Sequence, residues 1–166
     1  RKRDSKDMEY LNKLGYAEWT TGSKSKVPTI KRYENAYIQN VLPGIVDILR
    51  GQEDTLRDVY KKQKTEYKKD ITEDQHVRSA LRPIANDLLQ KYRAAIADVS
   101  IAAFDGDEKA LKIYHAQKAY RGLSKDKRKE GLHMFRRMKG RMPNFMDPVD
   151  LLTLSGSGKL SGLGGM

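Results

Sequence analysis

The imidazoles His76, His115 and His133 are scattered, and none sits one helical turn from another in the spacing by which a pair grips a metal. There is no cysteine, so disulfides and thiolate metal sites are excluded. Asp105-Gly106-Asp107-Glu108 gathers three carboxylates. A calcium loop alternates its ligands over about 12 residues. Here Lys109 breaks the pattern at once, and the string reads as a turn and helix cap. Gly156-Ser157-Gly158-Lys159 has the look of a phosphate loop, but its earlier glycine would fall where Thr153 stands. Leu160 follows the lysine where Ser or Thr belongs, and no strand precedes it. No serine stands in a nucleophile elbow. The chain is therefore read as non-enzymatic, with no catalytic, cofactor-binding or metal-ligating residues and no cofactor.

The residues that carry binding chemistry are cations. Lys and Arg number 33 against 22 Asp and Glu, a net charge of +11. So large a surplus attracts polyanions. It is concentrated between positions 121 and 141, where Arg121, Lys125, Lys127, Arg128, Lys129, Arg136, Arg137, Lys139 and Arg141 face only Asp126 and Glu130. A basic helix face of this kind neutralises phosphates and releases counterions without reading base sequence. The same face could instead meet an acidic neighbouring subunit, and no nucleic-acid motif decides between the two. Lys61, Lys62, Lys64, Lys68 and Lys69 form a second patch, offset by Glu66 and Asp70.

Helices must present these groups. The chain has 166 residues, 38% hydrophobic and 33% charged, with a mean hydropathy of -0.77. That mixture suits an all-α fold of extended or bundled amphipathic helices with a lean core. Met8, Leu11 and Leu14 predict a short first helix, with Gly15 as its left-handed cap. The stretch Thr20–Lys26 is polar linker. Ile30, Tyr33, Tyr37, Ile38, Val41 and Leu42 predict a helix from about Pro28, broken or kinked at Pro43-Gly44. The pattern resumes to Gly51, and a further helix follows over 53–69 with Leu56, Val59, Tyr60 and Tyr67 inward. Thr72-Glu73-Asp74-Gln75 matches a capping box. It opens a long central helix over about 72–104. Val77, Leu81, Ile84, Leu88, Tyr92, Ala95, Val99 and Ala102 form a helix-packing seam close to a heptad repeat along it. Asp105 or Asp107 caps the next helix, with Leu111 and Tyr114 inward. Ser124 caps another over 125–139, with Leu132, Phe135 and Met138 on one face and Gly140 ending it. A proline-bounded loop over 142–148 leads to one short helix at 149–154.

Three segments follow: an N-terminal helix and linker over 1–26, a helical body over 27–141, and a loop with a flexible Gly/Ser/Leu-rich tail over 142–166. The N-terminal Arg1-Lys2-Arg3-Asp4 has no apolar stretch behind it and is not a signal peptide. The longest nearly apolar run, 94–104, is too short for a spanning helix, so no stable transmembrane insertion is expected.

The Lys- and Gln-rich run Tyr60-Lys61-Lys62-Gln63-Lys64-Thr65-Glu66-Tyr67, then Met146-Asp147-Pro148-Val149-Asp150-Leu151-Leu152 and a tail of small residues from Ser155 to Gly165, resembles small internal core or ejection proteins of short-tailed phage virions. That resemblance implies an oligomeric virion component near the portal, touching other core proteins or packaged DNA. Members that act on membranes are richer in Ala and apolar residues than this chain, so the likeness does not extend to pore formation. The reading is a structural assembly protein of a virion or cytoplasm. Its partners would be itself, other virion or assembly proteins, and DNA through the basic strip. A nonspecific nucleic-acid binder using the basic strip 121–141 is the first alternative, and an enzyme is the last.

Overall fold

The structure, a computed structural model, describes residues 2–16, 25–63 and 71–156. Within them the fold is all-α, with six helices and no strand among the described residues: α1 Lys2–Lys13, α2 Pro28–Gln63, α3 Glu73–Phe104, α4 Glu108–Arg121, α5 Lys125–Lys139 and α6 Pro148–Leu154. The second lysine patch lies partly, and Tyr67 and the glycine-rich tail almost wholly, outside the described residues.

α2 is the axis of the molecule. It packs along α3 and also meets α1, α4 and α5. Between Tyr37 and Leu49 nearly every residue is buried, including the consecutive run from Val41 to Val46. A helix apolar on all sides is one enclosed on all sides. Of the break or kink expected at Pro43 the break is absent, and the helix expected over 53–69 is not separate, because α2 runs unbroken for 36 residues. Pro43 withdraws the donor that would meet the Gln39 carbonyl. Gln39 lies on the exposed side of α2, where water can take that bond's place. Gly44 has a packing reason: a Cβ there would stand 2.6 Å from the Phe145 ring. The Pro-Gly pair is a notch in a continuous helix rather than its end.

Phe145 fills that notch from the 142–147 loop. Its amide donates to the Tyr92 hydroxyl (2.8 Å) and its carbonyl accepts from Gln117 Nε2 (2.8 Å). The rings of Tyr92 and Tyr120 flank it at 6.2 and 5.2 Å. The loop therefore belongs to the same core as Leu11 and Leu14 of α1 and Leu151 and Leu154 of α6.

The long central helix at about 72–104 is present as α3. Its capping box is complete: Thr72 Oγ1 accepts from the Gln75 amide (3.1 Å) and Gln75 Oε1 accepts from the Thr72 amide (3.0 Å). The inward stripe departs from the expected seam. Val77, Leu81, Tyr92 and Val99 are buried, but the positions between them are Ala85, Leu89, Ile96 and Ala103. Each is one residue past the expected Ile84, Leu88, Ala95 and Ala102. Ile84 is exposed, and the other three are partly covered. The spacings 4, 4, 4, 3, 4, 3 and 4 follow an ordinary α-helix more closely than a 3.5-residue repeat. The stripe packs on α2 within one chain.

α4 also turns further than expected. Ala110, Ile113, Ala116, Gln117 and Tyr120 face inward, whereas Leu111 is exposed. Asp107 caps this helix, and Gly106 takes the positive φ (83°) that the preceding turn needs. Met8 and Met138, expected inward, are exposed.

Candidate anion-binding cleft

Local signals fix α5 at both ends. The Ser124 hydroxyl accepts from the Lys127 amide (3.2 Å), and Gly140 closes the helix in the left-handed conformation (φ 65°). Leu132 and Phe135 are buried. On the side towards α6, Gly131 lies so close that a Cβ would fall 2.3 Å from the Leu154 carbonyl oxygen.

Three of the nine cations expected at the interface are tied to the fold. Arg128 is buried. Its Nε donates to Asp47 Oδ2 of α2 (2.9 Å), and its guanidinium also donates to the Leu123 carbonyl (2.8 Å). Tyr120 donates its hydroxyl to the same Asp47 oxygen (2.7 Å). Arg141 forms a two-pronged bond to Asp150 (2.8 and 3.0 Å), which also accepts from the Asn144 amide (2.9 Å). Burial raises the Asp150 carboxyl, but the bonds from Arg141 and Asn144 outweigh it and hold the group below its ordinary value. Arg121 donates to Asn40 Oδ1 (3.3 Å).

The other six, Lys125, Lys127, Lys129, Arg136, Arg137 and Lys139, are exposed and make no ion pair with a described residue. Lys125, Lys129, Arg136 and Arg137 line a cleft of about 880 Å³ between α5 and the middle of α2. Lys127 and Lys139 lie outside its lining. Leu132, His133, Gly140, Arg141 and Met142 complete that side. The α2 side is Asp47, Arg50, Gly51, Glu53, Asp54 and Thr55. Arg50 lies over the Tyr10 ring, 4.3 Å from its centre. Glu53 accepts from Tyr10 (2.8 Å) and from Arg57 (3.1 Å).

The α2 wall carries no basic run and was not legible as part of a site. Asp47 did leave a signal, as a lone carboxylate in the apolar run from Ile45 to Leu49. A charge in such a place implies a buried partner. His133 joins the cleft, while His76 lies against the Tyr60 ring and His115 against Tyr114. No group of three or more candidate metal ligands converges among the described residues.

Comparison of the chain with protein-family models, with curated proteins and with solved structures gives no match. No helix among the described residues is long and apolar enough to cross a membrane.

Proposed function

We propose that this protein is a non-enzymatic structural component of a nucleoprotein assembly, as in a virion, that grips polyanions through α5. The observation that carries the reading is the division of labour within one helix and its flanks. Arg121, Arg128 and Arg141 bond inward, while six cations stay exposed without an ion pair among the described residues. Neutralising side chains by internal pairs would have been simple, since the chain has 22 carboxylates. Cations left solvated on a shared helix serve phosphates by counterion release.

The test is binding of a DNA oligomer as salt is raised. Affinity should fall steeply. Replacing Lys125, Lys129, Arg136 and Arg137 by Gln should flatten the log–log slope by roughly three units. Arg128 is left in place because its loss would unfold the site rather than discharge it. Binding that ignores salt, or a variant with the same slope, would remove the reading.

A second reading, self-association through helix packing, draws on a different observation. Met134 and Met138 of α5 and Val149 and Leu152 of α6 are exposed apolar residues on two helices that pack together. The α3 stripe is spent on α2, so an interface between copies would have to use such residues. A monomeric mass in solution at high protein concentration would dismiss it.

A further inference from the structure

Among the described residues three glycines lie inside helices, and two are explained by packing. Gly44 makes room for Phe145 and Gly131 for the Leu154 carbonyl. Gly51 is different. It sits within α2 at an ordinary helical conformation, and a Cβ there would meet nothing within 4 Å. Glycine inside a helix is about 1 kcal/mol less favourable than alanine. At this position no neighbour in the fold accounts for it. What Gly51 does is leave the α2 wall of the cleft bare.

The charges of the cleft are asymmetric once internal pairs are removed. Asp47 is paired with Arg128, Glu53 with Arg57 and Arg141 with Asp150. Arg50, Lys125, Lys129, Arg136 and Arg137 remain, from both walls, against Asp54. The four on α5 spread over roughly 18 Å of helix axis. That is too long for one phosphate cluster and suits a polymer. Most of the lining comes from helical positions, whose amides and carbonyls are already used, so an extended peptide backbone would find few partners there. A phosphodiester backbone needs only the cations. A cleft of about 880 Å³ has room for a short stretch of a single strand. Arginine planes and the Leu132–Met142 floor offer bases a surface without aromatic rings.

We infer that the cleft between α2 and α5 holds single-stranded nucleic acid, its phosphates on the α5 cations and a base against the bare wall at Gly51. This inference rests on the polyanion reading and narrows it.

The experiment measures fluorescence anisotropy of a labelled oligo-dT, a DNA duplex and polyglutamate with the full chain at fixed salt. Two variants plug the cleft without touching a cation: Gly51→Trp, and Thr55→Trp one turn along the same wall. Gln39→Trp is the control, which adds the same indole on an exposed position of α2 outside the cleft. The oligo-dT should bind wild type and Gln39→Trp alike, and both plugged variants about tenfold or more weakly. Duplex binding should not change. Helical circular dichroism identifies a variant that has not folded, and the other then carries the test. If a folded plugged variant binds oligo-dT as wild type does, the cleft is not the site, although the polyanion reading stands. If polyglutamate binds more tightly than oligo-dT, the occupant is an acidic protein and the inference is overturned. If wild type binds none of the three, the polyanion reading fails and takes the inference with it.

Discussion

Asp47 accepts from both Arg128 and Tyr120 beneath the cleft, and the ion pair it makes is almost wholly shielded, with side-chain exposures of 12% for Asp47 and 5% for Arg128. Taking one partner from such a pair strands a charge out of water, which typically costs about 3–5 kcal/mol. Asp47→Ala should therefore destabilise the protein by an amount in that range, read as a shift of the urea midpoint. Arg57 is the internal comparison. It meets Glu53, Glu73 and Asp74 in a more numerous but more open cluster, where Asp74 is 77% exposed. Exposed ion pairs contribute roughly 0–1 kcal/mol, so Arg57→Ala should cost far less than Asp47→Ala. Equal losses for the two variants would refute this ranking, because the number of partners would then matter more than their shielding.

At the scale of the element, glycines inside helices separate two kinds of position. Gly131→Ala gains helix propensity of about 1 kcal/mol. It also drives a Cβ into the backbone carbonyl of Leu154, which cannot rotate away. Overpacking of this kind costs about 1–3 kcal/mol, so the variant should melt at a lower temperature than wild type. Gly51→Ala has the same propensity gain with open space around it, and it should melt higher. Thermal unfolding of the two variants should give shifts of opposite sign, and a common sign would contradict the packing assigned here. The same elements mark what the sequence could disclose. Caps are local chemistry, so Thr72 with Gln75, Asp107, Ser124 and Gly140 were legible from neighbours in the chain. Pro43-Gly44 was not, because its partner Phe145 lies about a hundred residues away. The α3 stripe was ambiguous for another reason. Ile84-Ala85, Leu88-Leu89, Ala95-Ile96 and Ala102-Ala103 are adjacent apolar pairs, so two stripes fit the composition and only α2 selects one. In the site, the density of cations from Arg121 to Arg141 was visible, but which of them turn inward depended on Asn40, Asp47 and Asp150, far off in sequence or on another helix.

On the scale of the whole molecule, a lean core is held together by tyrosine hydroxyls that bridge elements. Tyr10 donates to Glu53 (α1 to α2), Tyr37 to the Ala110 carbonyl (α2 to α4), and Tyr120 to Asp47 (α4 to α2). Tyr92 accepts from the Phe145 amide, joining α3 to the 142–147 loop. Burial is the first cause that raises all four above the ordinary phenol value. It pushes Tyr37 and Tyr92 up to about 12, and nearby Glu53 and Asp47 raise Tyr10 and Tyr120 further. A folded-state value above the unfolded one means that folding favours the neutral phenol. The stabilisation is thus complete below about pH 10, the unfolded value. It is lost as pH climbs from there through the raised values, since the unfolded chain can ionise and the folded one resists. An alkaline titration followed by tyrosinate absorbance and by helical circular dichroism should show these phenols ionising together with loss of helix. If all the tyrosines ionised near pH 10 while the helical signal persisted, the hydroxyls would not be the buried clasps between helices that the fold requires.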